Sequence, residues 1–219
     1  MVGASPWAAE YLQRHPVVLD ELLDARTVHT GSDWNAFGRQ LRRQLLENKN
    51  DAERQMDLLR EAHHGQIFRL LVRDLGGALS VEQLADELSD LADVILQVAL
   101  ELCWVGLRNR HCPFPSFAVI GYGKLGGREL GYASDLDLVF LYDDNAEQAP
   151  ETYARLAQRL NSCLSMRTGA GVLFETDLRL RPDGQSGLLV SSIESFRRYQ
   201  RDSAWTWEHQ ALSRARFCA

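Results

Sequence analysis

Apolar positions in the first half of the chain follow helical spacing. They recur three and four residues apart up to about residue 110, which predicts amphipathic helices throughout this region. Ser5-Pro6 is a helix-start pair, and Pro16 begins a second short helix. Longer helices are predicted from Trp34 to about Leu46, from Met56 to about Gly76, and onwards from Ser80. We interpret the region as a helical bundle.

Two local features of these helices make specific predictions. Ser80 followed by Gln83 is typical of a capping box at a helix start. His63 and His64 are adjacent on the long helix and therefore do not share a face. We expect one of these two histidines to face solvent, and metal binding by the pair is not expected.

The pattern changes at a proline-containing junction, 111–116. We therefore divide the chain into a helical region, 1–112, and a second domain, 113–219. Between Phe117 and Asp143, two apolar runs flank a glycine-rich turn, which predicts two buried strands. At the start of the second strand, Asp135 and Asp137 are expected on one face, roughly 7 Å apart along the backbone.

Ten residues, from Val172 to Arg181, alternate with period two. One face is largely apolar, and the other carries Glu175, Asp177, Arg179 and Arg181. An exposed antiparallel edge strand fits this pattern, and so does a strand whose charged face lines the site opened by Asp135 and Asp137. The segment alone favours neither interpretation.

The remaining elements are predicted from shorter signals. Trp205 and Trp207 are two positions apart on the last predicted helix, so both cannot face one core, and one of them is expected to meet another surface or the active-site cleft. Core packing is the default for either. The elements are a helix from about Glu151 to Met166 that ends at the glycines of 168–171, a short strand at 187–190, a helix capped by Ser191 or Ser192, and a helix from Ala204 to Arg216.

Composition narrows the class of protein. The chain has 219 residues with a formal net charge of −6, which argues against a general nucleic-acid-binding surface. No apolar run is long enough for a membrane span, and no signal peptide is visible. The four cysteines are widely spaced, as expected for free thiols in a reducing cytosol. We expect a cytoplasmic fragment of a longer protein.

The glycine-rich turn and the aspartates suggest phosphate and metal chemistry. Backbone amides of a glycine-rich turn can hold phosphate, and Lys124 is one of only two lysines in the chain. Mg²⁺ prefers carboxylate, water and phosphate oxygens, so the pair Asp135 and Asp137 needs one more carboxylate nearby. Asp177 is the expected third carboxylate, and Glu175 is the fallback.

The apolar strand, glycine loop and Ser-Asp-x-Asp motif resemble the polymerase-β-like nucleotidyltransferase superfamily. Within it, GKLGGRELGYASDLDLVFLYD, LRLRPDGQSGLLV and AWTWEHQAL are similar to the glutamine synthetase adenylyltransferases. The opening segment is similar as well, so the resemblance covers nearly the whole chain. It implies an α+β fold: an N-terminal helical bundle, followed by a nucleotidyltransferase domain with a small mixed sheet flanked by helices.

Carried over residue by residue, the resemblance assigns roles to individual positions. It implies that Asp135, Asp137 and Asp177 are catalytic and bind metal, with Asp177 placed to help deprotonate the acceptor. Arg179 and Arg181 are expected to contact triphosphate or protein substrate. The nucleotide loop comprises Gly121, Gly123, Lys124, Gly126, Gly127 and Ser134. Tyr122 departs from the superfamily, in which many members carry Gly or Ser at that position.

The family has two related halves: one adds AMP from ATP to a tyrosine of glutamine synthetase, and the other removes AMP by phosphorolysis. The forms Gly121-Tyr122-Gly123-Lys124 and Thr206 to Gln210 resemble the adding, C-terminal half. The resemblance implies Mg²⁺-dependent AMP transfer, with glutamine synthetase as protein substrate and the PII signal protein as a partner through regions outside this chain. AMP removal and a non-catalytic nucleotide-binding module are the alternatives.

Overall fold

The computed structural model describes residues 9, 11–13 and 31–219. Three long helices open the continuous part: α1 (Trp34–Glu47), α2 (Ala52–Leu75) and α3 (Val81–Val105). Side chains of Asp33, Asp51 and Ser80 cap their first turns, and the capping box of Ser80 with Gln83 is confirmed. The three helices contact one another. The helices predicted before residue 31 fall mostly outside the described residues, so the complete bundle stays a prediction.

A small mixed sheet follows. Strands β1 (Phe117–Gly121) and β2 (Leu136–Tyr142) pair antiparallel, with Val119 opposite Phe140. On the other edge of β2, strands β3 (Thr176–Asp177) and β4 (Val190–Ser192) pair parallel to it. Strand β5 (Arg216–Phe217) pairs antiparallel with β1. The predicted small mixed sheet flanked by helices is therefore present.

Shorter helices connect the strands. A single turn, α4 (Gly123–Gly126), follows β1, and α5 (Ala149–Ser165) follows β2. A 3₁₀ turn at Gly184–Ser186 precedes β4, and the chain continues through α6 (Ile193–Asp202) and α7 (Thr206–Leu212). Ser192, rather than Ser191, caps α6 by accepting from the Ser195 amide.

The two faces of the sheet bury different clusters. Val119, Leu136 and Phe140 pack with α3 and α5 in the largest core cluster, which includes Leu41 of α1 and Leu59 of α2. The opposite face carries Val139 and Leu141, which pack with Tyr122 and Phe196. Because side chains alternate along β2, Asp137 shares its face with this second cluster. The division at residue 112 stays a prediction, although one core underlies both regions.

Several predicted elements differ from the structure. The predicted strand from Val172 to Arg181 is wrong except at Thr176–Asp177, because only those two residues pair with β2. The last helix ends at Leu212 instead of Arg216, which lies in β5. Helix α5 ends at Ser165 with an extended Met166, so the glycines of 168–171 do not cap it directly.

Some predicted side-chain environments also differ. Leu46, an apolar residue in the last turn of α1, is 68% exposed. Trp205 and Trp207 are 71% and 54% exposed, so core packing is wrong for both. His63 is buried and His64 is half-buried, so neither faces solvent fully. Among the described residues, no helix is long and apolar enough to cross a membrane.

Candidate active site

The turn between β1 and α4 lies directly against Asp137. The Tyr122 amide donates to the Asp137 carbonyl at 2.9 Å, which ties the start of α4 to β2. Gly123 has φ +53°, and a Cβ atom placed there would lie 2.1 Å from Asp137 Oδ2. Glycine therefore allows both the left-handed backbone and the close approach of the turn to the carboxylate.

The parallel pairing of β2 with β3 brings a second carboxylate to this place. Asp137 is opposite Asp177 in the register, and the Leu136 amide donates to the Glu175 carbonyl at 2.9 Å. Burial raises the pKa of Asp137, and the nearby charges of Asp135 and Asp177 raise it further. Asp135 is exposed, whereas Asp137 and Asp177 are half-buried. The charges of Asp135 and Asp177 thus both act on Asp137, which lies opposite Asp177 in the register.

Arg179 compensates part of this negative charge. Its Nε donates to both carboxylate oxygens of Asp177, at 2.7 and 3.0 Å, and its amide donates to Oδ1 at 2.8 Å. These bonds lower the pKa of Asp177, which weakens it as a base in this arrangement. The Arg179 side chain is 70% exposed, so it can turn towards an anionic ligand without disturbing the core.

The donor set fits a divalent cation such as Mg²⁺, which favours carboxylate oxygens. Burial, followed by the charges of Asp135 and Asp177, raises the pKa of Asp137, and a bound cation would offset the repulsion from these two charges. Within the described part of the chain, the one trio of His, Cys, Asp or Glu ligand atoms mutually within 4.8 Å is His111, Cys112 and Asp144. The carboxylate oxygens of the three aspartates in the candidate site therefore lie farther apart than the ligand atoms of this trio, and Asp177 is paired with Arg179.

The other predicted loop residues have structural contacts. Lys124 is exposed, and its positive charge partly offsets the burial and the neighbouring carboxylate charges that raise the pKa of Asp137. The amides of Gly126 and Gly127 donate to the carbonyls of Tyr122 and Gly123, so they act within the α4 turn. A Cβ atom on Gly126 would lie 2.0 Å from the Arg214 carbonyl oxygen. Phosphate binding through this turn stays a prediction for Gly126 and Gly127.

Three further predicted residues support the surrounding segments. Gly121 packs closely against Cys218, whose Sγ would lie 2.7 Å from an added Cβ atom. Ser134 Oγ accepts from the Gly131 amide at 3.0 Å and so shapes the turn before Asp135. Arg181 donates to the carbonyls of Leu178, Gln185 and Gly187, which braces the loop after β3. Their roles in ligand binding also stay predictions.

Arg214 was missed by the sequence interpretation. Its backbone carbonyl and guanidinium lie against Gly126 and Gly127, and the guanidinium forms an ion pair with Glu129. Arg214 therefore holds the C-terminal segment against the turn that follows the glycine loop. No local signal identifies such a residue, because its partners are more than eighty positions away.

Comparisons with known proteins give a consistent result. The family model described as glutamate-ammonia ligase adenylyltransferase matches residues 1–219. Among curated proteins, a relative from Aromatoleum aromaticum is 63% identical over 100% of this chain and 23% of its own length. Relatives from Chromobacterium violaceum and Ralstonia nicotianae are 55% and 54% identical, over 24% and 23% of their lengths. All three are named bifunctional glutamine synthetase adenylyltransferase/adenylyl-removing enzyme. The chain thus spans about a quarter of the length of the curated relatives it matches.

Proposed function

The chain belongs to the glutamate-ammonia ligase adenylyltransferase family, and we propose that it transfers AMP from ATP to a tyrosine hydroxyl of glutamine synthetase. The observation that carries this proposal is the register of Asp137 opposite Asp177, with Gly123 against Asp137. This arrangement places carboxylates that can bind metal beside a turn that can bind phosphate. ATP would be the nucleotide substrate and pyrophosphate the released product.

Asp135, Asp137 and Asp177 would hold Mg²⁺, because carboxylate oxygens are donors that Mg²⁺ prefers and because the charges of Asp135 and Asp177 act on Asp137. When bound, two such ions supply charge neutralisation at the attacking and leaving oxygens of the displacement. This two-metal arrangement belongs to the proposal.

Residues of this chain would orient the nucleotide and accept the proton of the tyrosine hydroxyl. The charge of Lys124 acts on Asp137 and Gly123 lies against its carboxylate, so Lys124 and this glycine turn can bind the departing phosphates. Arg179 can leave Asp177 and bind a phosphate oxygen, because its side chain is exposed. The tyrosine oxygen then bonds to the α-phosphorus as the bond to pyrophosphate breaks. Asp177, released from Arg179, can accept the hydroxyl proton.

Removal of AMP by phosphorolysis is the second candidate, because the names of the relatives include an adenylyl-removing activity. In that direction phosphate attacks adenylyl-tyrosine and ADP is released. The same aspartates and turn would serve both directions. We favour AMP addition in the cytoplasm, and binding of the PII signal protein through regions outside this chain remains a prediction.

The double variant Asp135→Asn/Asp137→Asn tests the proposal. We expect the chain to transfer labelled AMP from ATP to unmodified glutamine synthetase, and the double variant to lose this activity by at least about a thousandfold. In parallel, adenylylated glutamine synthetase is supplied with phosphate and ADP release is measured. The faster reaction identifies the direction.

Asp143→Asn is the matched control, because it makes the same chemical change just past the other end of β2. This variant should retain activity. Full transfer by the double variant would contradict the assignment of the aspartates. Absence of both reactions in the unaltered chain, with ATP still bound, would contradict catalysis by this segment.

A further inference from the structure

A second group of possible metal ligands lies where the helical region meets the sheet. His111 and Cys112 belong to the segment that joins α3 to β1, and Asp144 follows the end of β2. One ring nitrogen of His111, the Cys112 sulfur and one Asp144 carboxylate oxygen all lie within 4.8 Å of one another. Asp137 is at the start of β2, so this group is at the opposite end of the strand from the candidate active site.

The spacing of the three atoms suits a tetrahedral ion. Ligand atoms at about 2.0 to 2.3 Å from Zn²⁺ lie about 3.3 to 3.7 Å from one another. His111 Nε2 is 2.7 Å from Asp144 Oδ2, so these atoms would move apart by about 0.6 Å. The sulfur, within 4.8 Å of both, would approach by about 1 Å or less. An ion would thus replace the direct hydrogen bond between His111 and Asp144.

Neighbouring groups orient two of these ligands. Asp144 Oδ1 accepts from the Ala146 amide at 2.9 Å, and Oδ2 accepts from the Tyr153 hydroxyl at 2.9 Å. The His111 ring is edge-on to Trp104 and Tyr153, with ring centroids 6.4 and 5.6 Å apart. Ligating carboxylates in metal sites are hydrogen-bonded in this way, because such bonds fix their orientation. The imidazole and the carboxylate are therefore held in place before an ion binds.

The donor types select the ion. Nitrogen, sulfur and oxygen donors together favour Zn²⁺, whereas Mg²⁺ and Ca²⁺ favour oxygen alone. A thiolate and a carboxylate carry two negative charges, which match a divalent ion, and the imidazole binds in its neutral form. Acid releases such an ion, because the ligands must be deprotonated. Cys112 is half-buried, and the side chains of His111 and Asp144 are 12% and 17% exposed, so solvent reaches the group.

We infer that His111, Cys112 and Asp144 bind Zn²⁺ and that the ion fixes the segment between α3 and β1 to the end of β2. Binding releases the thiol proton to solvent, and water takes the fourth tetrahedral position. Tyr153 of α5 already joins these segments, since its hydroxyl donates to Asp144 and accepts from the Ser116 amide. An ion that binds the folded chain stabilises it, so we assign this site a structural role.

Cobalt substitution tests the inference. Co²⁺ occupies zinc sites, and Co²⁺ bound to thiolate has a charge-transfer absorption that oxygen-ligated Co²⁺ lacks. The chain is treated with EDTA and a phosphine reductant, exchanged into buffer without EDTA, and titrated with Co²⁺ in excess Mg²⁺. We expect one equivalent of Co²⁺ to give the charge-transfer band together with the visible bands of a tetrahedral complex. Zn²⁺ should then remove both.

Cys112→Ser identifies the sulfur. This variant should lose the charge-transfer band and bind Zn²⁺ at least about a hundredfold more weakly, because even a residue that only orients a ligand contributes about 10- to 100-fold to metal affinity. Cys218→Ser is the matched control, since Cys218 is a free thiol that lies against Gly121, outside the group. The control should keep both the band and the affinity.

Thermal unfolding separates metal binding from the existing hydrogen bonds. Zn²⁺ should raise the melting temperature of the unaltered chain and of Cys218→Ser, and should leave that of Cys112→Ser unchanged. Without Zn²⁺, Cys112→Ser should melt with the unaltered chain, because the bond between His111 and Asp144 is intact. Asp144→Asn should also lose the response to Zn²⁺, whereas its exposed neighbour Asp143, changed to Asn, should keep it.

The contrary outcomes are distinct. The inference is overturned if stoichiometric Co²⁺ gives no charge-transfer band, or if Cys112→Ser keeps the band. Equal losses in Cys112→Ser and Cys218→Ser also overturn it, because they would show an indirect effect. Co²⁺ binding that excess Mg²⁺ abolishes would place the ion at the aspartates instead. None of these measurements depends on AMP transfer, so failure of this inference and failure of the proposed function are distinguishable.

Discussion

At the scale of single residues, Gly123 joins backbone geometry to chemistry. Its φ of +53° belongs to the left-handed region, and the position of its missing Cβ lies against the Asp137 carboxylate. Any other residue would have to strain the backbone and displace the carboxylate together. The geometry of the candidate site therefore depends on the absence of a Cβ atom at Gly123 as well as on the aspartates.

Gly123→Ala should destabilise the chain by about 1 to 2 kcal/mol, because alanine is strained in the left-handed conformation. It should also abolish AMP transfer, since the added methyl group displaces Asp137. Urea unfolding and the transfer assay measure the two effects. Gly169→Ala is the control, because Gly169 has no atom within 4 Å of an added Cβ and no positive φ. Equal behaviour of the two variants would contradict the role of Gly123.

The hydrogen bonds of Asp144 lead to a prediction of how the free energy of unfolding depends on pH. A hydrogen bond from His111, joined by bonds from the Ala146 amide and the Tyr153 hydroxyl, lowers the pKa of Asp144 to about 2. The ordinary value is about 3.9. This contribution to stability is therefore complete above about pH 4 and is lost as the pH falls towards about 2.

Asp144→Asn should flatten the decline in the free energy of unfolding between pH 4 and pH 2, measured by urea titration at each pH. The exposed neighbour Asp143, changed to Asn, should keep the decline of the unaltered chain. If both variants follow the same curve as the unaltered chain, the network around Asp144 does not contribute as described.

At the scale of elements, Arg60 connects α2 with the end of α5. Its guanidinium is fully buried and donates to the carbonyls of Cys163, Met166 and Gly171. The last carbonyls of a helix have no partner within the helix, so a side chain from another element completes the end of α5. Phe174 leaves this region to reach β3, and its amide donates to the Leu164 carbonyl at 3.0 Å. The placement of Asp177 thus depends on how α5 ends.

Arg60→Met should destabilise the chain by about 3 kcal/mol, because each buried carbonyl left without a donor costs about 1 to 3 kcal/mol. Urea unfolding measures the change. Arg54→Met is the matched control on the same helix: its ion pair with Glu61 is exposed, so the expected change is below about 1 kcal/mol. Similar losses for the two variants would show that Arg60 adds only surface charge.

At the scale of the whole molecule, one core underlies the long helices and one face of the sheet. Residues of α1, α2 and α3 belong to the same buried cluster as residues of β1, β2 and α5. The apolar face of the sheet would be exposed to water if α3 were separated from it. We therefore expect the two regions to unfold together.

The variant Trp205→Phe/Trp207→Phe tests this cooperativity, since both tryptophans are exposed and the three that remain lie before residue 112. Its fluorescence reports the helical region together with the contact of Trp104 with Tyr153 of α5, and far-UV circular dichroism reports the whole chain. Coincident urea transitions are expected for one cooperative unit. A fluorescence transition separate from the circular dichroism transition would instead support independent domains that meet at residue 112.

The sequence by itself determined the elements whose patterns are local. Helices α1, α2, α3 and α5 and strands β1 and β2 all follow from apolar spacing within about fifteen residues, together with caps such as Ser80. It also predicted Asp135, Asp137 and Asp177 as one group of carboxylates, of which the pairing of β2 with β3 brings Asp137 and Asp177 together. Neighbouring positions carry these signals, so no knowledge of distant contacts was needed.

Only the tertiary structure decided the elements that form through contacts between residues far apart in the sequence. The alternating segment around Asp177 forms a strand for two residues because only that part meets β2. Arg216 leaves the helical pattern because β1 offers it an unpaired edge, where backbone groups find partners. The contacts of Arg179 with Asp177, of Arg214 with Gly126 and of His111 with Asp144 depend in the same way on chain folding, since spacing along the sequence does not specify which side chains meet.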